Sequence, residues 1–169
     1  MQNLVVRQAR TDDVVAIRDV LEPMMVTNLL LRKDLVVLYE AVQEFQVAEL
    51  DGKIVGCGAL HVLWRDLGEV RSIATTPEVR GMGVGHTMLE GLIERAQVLG
   101  LSRLFCLTFE TKFFGRHGFE AVGEHVVDHD VYKEILHSPD AGTAEFLDLP
   151  WVKPNTLGNT RMLLEMARA

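Results

Sequence analysis

The spacing of apolar residues changes twice along the chain. A short apolar run at 4–9 predicts a strand. In the next two segments the apolar residues lie three or four apart, which predicts amphipathic helices over 11–24 and 34–43. Thr11 is the expected N-cap of the first helix, because its hydroxyl can accept from the first free N–H groups. The second helix is expected to bury one face, formed by Leu35, Leu38, Tyr39 and Val42.

The middle of the chain predicts a hairpin, a strand and a long helix. Two β-type runs meet at Asp51-Gly52, a dipeptide typical of two-residue hairpin turns. A strand is predicted at 69–76, and a helix that ends at Gly100 precedes an apolar strand at 103–109. The helix is expected to bury an apolar stripe, which consists of Met88, Leu89, Leu92, Ile93, Ala96 and Leu99.

The last third of the chain predicts shorter elements. A short helix over 111–117 is stopped by Gly118, another helix lies near 130–138, and strands are expected at 144–149 and 161–166. The order of the elements predicts an α/β (α+β) fold with a mixed, mostly antiparallel central sheet. A parallel strand–helix–strand crossover is expected at the centre of this sheet, with helices flanking it.

Composition narrows the class of protein. With 169 residues, 48% of them hydrophobic, the chain is expected to form a single domain over 1–169. A net charge of −7 argues against nucleic acid or an anionic membrane as the main partner. Cys57 and Cys106 lie in separate apolar runs and predict buried thiols in a reducing compartment. The N-terminus has no signal-peptide pattern, so we expect a cytoplasmic protein.

Three glycines fall within five residues of "VRGMGVGHTM" at 79–88. They stand between a predicted strand and a predicted helix, whose first N–H groups and dipole favour an anion such as a pyrophosphate. Arg80 can add a charge-assisted contact. The loop lacks the GK[ST] ending of a P-loop, and its place after a hairpin does not fit a dinucleotide-binding βαβ unit. A tight turn without a ligand is the alternative.

The segment from Arg80 to Gly85 resembles the R/Q-x-x-G-x-G/A signature of the GNAT acetyltransferase superfamily. "FFGRHGF" at 113–119 resembles the end of the family's next helix and the strand after it. Longer stretches, among them "GEVRSIATTPEVRGMGVGHTML", are similar to the acetyltransferase portion of N-acetylglutamate synthases. The resemblance spans about residues 4–166 and indicates a GNAT fold of the short, stand-alone synthase type, without an amino-acid-kinase domain.

The resemblance implies acetyl-CoA as the co-substrate and no metal. Main-chain groups of the strand before the loop would contact the pantetheine arm and the thioester, and loop amides would hold the pyrophosphate. The residues implied for the strand are Ile73, Ala74 and Thr75. Those implied for the loop and the first helical turn are Arg80, Gly81, Met82, Gly83, Val84, Gly85 and His86.

Glu69 is the candidate general base. Alternation along the predicted strand places it on one face with Arg71 and Ile73. Burying two charges there is costly unless they pair or line a wet cleft. A structural Glu–Arg pair is the alternative. In a cleft, Glu69 would take the proton of the substrate ammonium, and the resembling synthases have a glutamate at this position.

Thr108 is the candidate donor of a proton to the departing thiolate. Many GNAT enzymes use a tyrosine for this step, but Phe114 stands at the corresponding position here. The synthases carry a hydroxyl residue just after the apolar strand, which matches Thr108. A β-branched strand residue without a catalytic role is the alternative, and Tyr132 is a weaker candidate for the donor.

Several cationic and polar residues are candidates for binding an amino acid. Arg71 is expected to hold a substrate carboxylate, and Lys33 matches the family's carboxylate-binding position. Lys153 and Asn159 belong to a late polar segment. Solvated surface charge is the alternative for Lys33 and its neighbour Arg32. The resemblance implies glutamate or glutamine as the acceptor, in the first step of arginine biosynthesis.

Other functions fit parts of the same pattern. A GNAT enzyme that acetylates a protein N-terminus, a lysine or a polyamine is the alternative within the fold. A CoA-sensing module without catalysis is the alternative of another class, although its glycine loop would usually be lost. The expected partners are therefore a small amino acid and acetyl-CoA, a homodimer is compatible with the sequence, and nucleic acid and membrane are not expected.

Overall fold

Seven strands and six α-helices are found in the computed structural model, within the residues that it describes, 3–123, 126–152 and 158–167. The strands are β1 (Leu4–Gln8), β2 (Phe45–Leu50), β3 (Lys53–Val62), β4 (Leu67–Thr75), β5 (Arg103–Thr108), β6 (Glu120–Ala121) and β7 (Thr160–Glu165). The helices are α1 (Val14–Val26), α2 (Leu35–Glu40), α3 (Val84–Val98), α4 (Thr111–Gly115), α5 (His129–Ile135) and α6 (Ala141–Phe146). Short 3₁₀ turns are Thr11–Asp13, Val42–Glu44, Pro77–Val79 and Pro150–Val152.

The strands form one mixed sheet in the order β1-β2-β3-β4-β5-β7-β6. Strands β4 and β5 run parallel, and α3 connects them, so they form the predicted crossover. The pairs β1–β2, β2–β3, β5–β7 and β6–β7 are antiparallel. The predicted α/β architecture with a mixed, mostly antiparallel sheet is therefore confirmed. No helix in the described ranges is long and apolar enough to cross a bilayer.

The chain divides into two compact units, and the first comprises Met1–His61 with Val70–Arg95. Two groups of buried residues form its core. The α1 cluster contains Val14, Ile17, Leu21 and Leu38 from helices, with Val47, Cys57, Ala59 and Ala74 from strands. The α3 cluster contains Ala48, Val55, Val79, Val84 and Met88, with the partly buried Ile73 packed against it. The apolar faces of α1 and α3 are thus both covered by strand residues of this unit.

The second unit comprises Val62–Glu69 with Ala96–Ala169. Its core contains Leu67, Phe105, Ile135, Phe146 and Leu147. The rings of Phe105 and Phe146 meet edge-on, with centroids 5.0 Å apart. This contact fixes α6 against β5, since aromatic pairs prefer an edge-to-face arrangement at such distances.

Local turn signals fix two boundaries that the sequence predicts. Asp51 and Gly52 both have positive φ, at 49° and 84°, as a two-residue turn of the hairpin type requires. Gly100 also has positive φ, at 83°, and the N–H of Leu101 bonds back to Ala96, which closes the C-terminus of α3. Both predictions are confirmed.

Other expectations about local structure are wrong. Thr11 does not cap α1, because it lies inside a 3₁₀ turn that α1 follows, and the Asp13 carboxylate instead accepts from the N–H of Arg10 at 2.7 Å. Helix α2 is only six residues long, and Tyr39 is 44% exposed rather than buried. Leu99 is 53% exposed because α3 ends at Val98.

The predicted strand at 144–149 is helix α6. The Asp140 carboxylate accepts from the main-chain N–H of Thr143 at 2.7 Å and from its hydroxyl at 3.1 Å, so Asp140 caps the helix. Ala144, Phe146 and Leu147 are buried, which is not the alternation of a strand. The apolar residues of this short segment, at 144, 146, 147 and 149, fit both a strand and a helix, and the cap decides between them.

Candidate active site

The glycine loop is open to solvent and depends on left-handed backbone. Gly81 and Gly83 both have φ of 80°, a conformation that glycine adopts without steric cost. A Cβ atom added at either residue would meet nothing within 4 Å. The glycines are therefore required by backbone conformation, and open space lies beside them where a ligand can approach.

Helix α3 begins directly after this loop. The first intrahelical bond runs from the N–H of Thr87 to the carbonyl of Gly83, at 3.0 Å. The N–H groups of Gly83, Val84 and Gly85 precede it and have no acceptor within the helix. Together with the helix dipole they can bind an anion. The Val84 side chain is buried, so this residue can contribute only its main chain. Arg80 and Met82 are exposed, and Gly85 and His86 are partly exposed.

The side chains of strand β4 do not alternate regularly between the two faces of the sheet. Ser72, which is buried, has a positive φ of 58°. The Ile73 side chain lies in the α3 cluster, with its Cγ1 3.1 Å from a Cβ position built on Gly58, whereas Ala74 lies in the α1 cluster. Arg71 contacts Glu44, which in turn contacts His61, two residues beyond Ala59 of the α1 cluster.

The expectation that Arg71 and Ile73 share one face is therefore wrong. Regular alternation would place Arg71 and Ala74 on opposite faces of the strand, but both lie toward the α1 cluster. The left-handed residue between them, Ser72, breaks the alternation. Thr75 lies beyond this irregularity, with its Cγ2 3.3 Å from a Cβ position built on Gly56.

Glu69 lies on the part of β4 that belongs to the second unit. It is 4% exposed, and its Cα pairs with that of Phe105 in the parallel ladder. Burial, and then the charge of Glu69, raise the pKa of the Cys106 thiol. The carboxylate therefore lies close to the thiol of Cys106 on β5.

Thr108 ends β5 and is buried. Its hydroxyl oxygen accepts from the N–H of Glu110 at 2.8 Å, and it still carries a proton of its own to donate. Phe114, at the family's tyrosine position, is buried between Phe113 and Phe119, with ring centroids 5.1 and 5.2 Å away. Tyr132 packs against the apolar core of the second unit.

The predicted acceptor-binding residues are distributed over both units. Lys33 is partly buried, and its main-chain N–H donates to the Sδ of Met25 at 3.4 Å, while its neighbour Arg32 is exposed. Arg71 belongs to the first unit with Lys33, and Asn159, partly buried before β7, belongs to the second. Lys153 lies outside the described residues.

Two features of these units were missed by the sequence analysis. The guanidinium of Arg161 lies over the ring of Phe105, 4.8 Å from its centroid, and donates to the carbonyl of Phe146 at 2.8 Å. Glu44 contacts both His61 and Arg71. An arginine in the otherwise apolar run of β7 was a usable signal, whereas nothing in the sequence indicates the Glu44 contacts. Over the part of the chain that the structure covers, no group of three His, Cys, Asp or Glu residues could hold a metal ion.

Known proteins are similar to this chain over most of its length. Residues 16–119 match the model of the acetyltransferase (GNAT) family. An amino-acid acetyltransferase of Mycobacterium tuberculosis is 55% identical over 163 residues, which cover 95% of this chain and 93% of that protein. An amino-acid acetyltransferase of Neisseria meningitidis is 32% identical over 70% of this chain, which spans only 28% of that protein.

Two solved structures superpose on this chain and have the same fold. Rv2747 from Mycobacterium tuberculosis, in complex with CoA and NLQ, superposes with a TM-score of 0.93 at 54% identity, over 96% of this chain and 99% of that chain. The N-acetylglutamate synthase of Neisseria gonorrhoeae, in complex with coenzyme A and N-acetyl-glutamate, superposes with a TM-score of 0.78 at 25% identity, over 98% of this chain and 36% of that chain.

Proposed function

The chain belongs to the GNAT acetyltransferase family, and from that premise we propose that it transfers the acetyl group of acetyl-CoA to the α-amine of glutamate or glutamine. One observation carries the proposal, the 55% identity to an amino-acid acetyltransferase over 163 residues of the chain. Such a span includes β4, the glycine loop and α3. This reaction would be the first step of arginine biosynthesis.

Acetyl-CoA is proposed to bind along β4 and the glycine loop. The N–H groups of Gly83, Val84 and Gly85 would hold the pyrophosphate, since they are unused within the helix and lie at its positive end. Arg80, exposed at the start of the loop, would add a charge-assisted contact. Main-chain groups from Ile73 to Thr75 would contact the pantetheine arm.

Glu69 and Thr108 are proposed to move the two protons of the reaction. Glu69, directly or through a water, takes a proton from the substrate ammonium, and the free amine attacks the thioester carbonyl. The tetrahedral intermediate collapses, the C–S bond breaks, and the CoA thiolate takes the Thr108 hydroxyl proton. The second proton of the attacking nitrogen replaces it on Thr108 through solvent, and Glu69 releases its own proton to solvent. Thr108→Val should lower kcat, whereas Thr108→Ser should retain most of it; equal kcat values in the two variants would remove Thr108 from this role.

The acceptor is proposed to be recognised by its carboxylates. Lys33 and Arg71 would bind them, and Asn159 and Lys153 are the further candidates. We also propose a cytoplasmic location, which fits two buried free cysteines, Cys57 and Cys106.

A panel of amines tests the acceptor class. Thiol release from acetyl-CoA and mass spectrometry of the products should show N-acetylation of glutamate or glutamine. Their α-amides and spermidine should not react, because neither offers the α-carboxylate. An α-amide that reacts as well as the acid would reject carboxylate recognition and favour a protein substrate. Tight CoA binding with no release for any amine would indicate a CoA-sensing module.

Lys33 and Arg32 offer a matched pair of variants for the same assay. Lys33→Ala should raise the KM for the amino acid about tenfold, as expected for one lost charged contact, and leave that for acetyl-CoA nearly unchanged. Arg32→Ala, at the exposed neighbour, is the control and should change neither constant. Equal effects of the two substitutions would assign both residues to the solvated surface.

A further inference from the structure

Glu44 joins two side chains that are distant from it in sequence. Its Oε1 lies 2.8 Å from Nδ1 of His61 on β3, and its Oε2 lies 3.5 Å from Nη2 of Arg71 on β4. The Arg71 side chain is 12% exposed and that of His61 is 19% exposed. A single carboxylate therefore contacts both an imidazole and a guanidinium in a mostly desolvated place, where such contacts are stronger than in water.

The main chain that carries Glu44 is held in place from two sides. Arg95 of α3 donates to the carbonyl of Glu44 at 3.2 Å and also to that of Gln43. The amide of Gln8, on β1, donates to the same Gln43 carbonyl at 2.6 Å. The 3₁₀ turn Val42–Glu44 is thereby tied to both α3 and β1, so the starting point of the Glu44 side chain is fixed.

The two contacts of the Glu44 carboxylate differ in length. The 2.8 Å contact with His61 is within the range of a strong hydrogen bond, whereas the 3.5 Å contact with Arg71 is longer than a charge-assisted bond at its optimum, about 2.7–2.9 Å. His61 therefore fixes the carboxylate, and the carboxylate contacts the guanidinium of Arg71 from a fixed position.

We propose that Glu44 is a positioning residue, which holds the guanidinium of Arg71 in the orientation that meets a carboxylate of the acceptor amino acid. His61 fixes the Glu44 carboxylate from its other side. The proposal rests on the proposed function, in which Arg71 binds the acceptor. It adds two residues to that function, neither of which touches the reacting atoms.

Steady-state kinetics of four variants test the proposal. Glu44→Gln keeps the shape of the side chain and removes its charge, so it should raise the KM for the amino acid about tenfold, with the KM for acetyl-CoA changed less than twofold. Arg71→Ala should likewise raise the KM for the amino acid and leave that for acetyl-CoA nearly unchanged. In the double variant, the KM for the amino acid should be less than twofold above that of Arg71→Ala alone, because Glu44 acts through Arg71. Glu90→Gln, at an exposed residue of α3, is the matched control and should leave both constants unchanged.

Rescue by a conservative substitution at His61 distinguishes a positioning role from a general loss of stability. His61→Ala should raise the KM for the amino acid, and His61→Asn, which can place a donor near Nδ1, should restore most of it. An unchanged or lower amino-acid KM in Glu44→Gln would overturn the proposal, as would an equal effect of Glu44→Gln with Arg71 present or absent. A wild-type protein that acetylates no amino acid would instead reject the proposed function and this inference with it. Acetyl-CoA affinity, measured by calorimetry, shows that each variant is folded.

Discussion

At the scale of single residues, Glu69 is the proposed general base. It is 4% exposed and lies beside the apolar strand β5, with Phe105 as its partner in the ladder. A carboxylate held by a strand keeps a fixed position relative to a bound substrate. Position and burial together make it the first residue to test.

Glu69→Gln should lower kcat by about 10²- to 10⁴-fold, because the amide keeps the shape and removes the proton acceptor. The dissociation constant for acetyl-CoA should stay nearly unchanged. Pre-steady-state measurement of acetyl transfer at neutral pH checks this, with Glu90→Gln as the control. A decrease below about threefold would move the role of base to another carboxylate, of which Glu110 is the next candidate.

The charge of Asp13 stabilises the fold and has no proposed role in the reaction. Its carboxylate takes two hydrogen bonds from Arg7, at 2.7 and 2.9 Å, and one from the N–H of Arg10. Arg7 also bonds Glu49 at 2.8 Å. The bonds from Arg7 are the main reason that the pKa of Asp13 is lowered in the folded protein. This network ties β1 to the start of α1 in place of the expected Thr11 cap.

Asp13→Asn should therefore lower the free energy of unfolding by about 1.5–3 kcal/mol at pH 7. A lowered pKa means that the stabilisation is complete above the ordinary aspartate value, about 3.9, and is lost as the pH falls through the folded value. Urea unfolding at several pH values should show wild type and variant converging below about pH 4. Asp12→Asn, at the exposed neighbour, is the control, and an equal loss in both variants would contradict this account.

At the scale of elements, the segment β4–loop–α3 is the centre of the proposed site. Its loop conformation depends on Gly81 and Gly83, and its anion-binding groups are the main-chain amides at the start of α3. Substitutions in the loop and in the first turn of α3 should therefore affect acetyl-CoA far more than the amino acid.

Gly83→Glu should weaken CoA binding by at least about 10²-fold, because a carboxylate would occupy the place of a phosphate and the side chain would strain the positive φ. Gly100→Glu is a matched control at the other end of α3, with φ of 83° and equally open surroundings. Both variants should lose similar stability, and only Gly83→Glu should lose CoA in calorimetry. Unchanged CoA affinity in a folded Gly83→Glu protein would reject the loop as the CoA site.

Elements with local signals could be predicted from the sequence. The hairpin at Asp51-Gly52, the end of α3 at Gly100 and the loop before α3 all depend on residues that adopt positive φ within a few positions. Helix α6 could not be predicted in the same way, because the apolar spacing of its segment fits a strand as well as a helix and the deciding cap at Asp140 lies several residues upstream.

The candidate site was predictable only in part, for the same reason. The glycine loop is local, and the resemblance pointed to Glu69 and Thr108. The face of Arg71 was not predictable, since it depends on the left-handed Ser72 within an otherwise regular strand. The contact between Glu44 and His61 joins residues 17 positions apart, which no spacing rule relates.

At the scale of the whole molecule, each compact unit contains one buried cysteine. Cys57 belongs to the first unit and Cys106 to the second. Burial raises the pKa of both thiols, and the charge of Glu69 adds to the effect at Cys106. Neither thiol should therefore react with a thiol reagent in the folded protein, because the thiolate is the reactive species.

The two thiols report whether the units unfold together. In Cys57→Ala and Cys106→Ala variants, the remaining thiol should become reactive at the same urea concentration, as expected for the proposed single domain. Labelling at pH 8 followed by mass spectrometry measures both midpoints, and circular dichroism corrects for the stability change of each substitution. Midpoints that differ by more than this correction would show two units that unfold independently.

The left-handed conformation of Ser72 lowers the stability of the fold but supports the proposed activity. A residue other than glycine costs roughly 1–2 kcal/mol in this conformation, and a regular strand would avoid that cost. The regular strand, however, would turn Arg71 away from Glu44 and from the face proposed to bind the acceptor. Selection for heat resistance alone should therefore favour substitutions at or around this position that the cell would reject. In a directed-evolution experiment, thermostable variants with a regular β4 are expected to fold well and to have a raised KM for the amino acid.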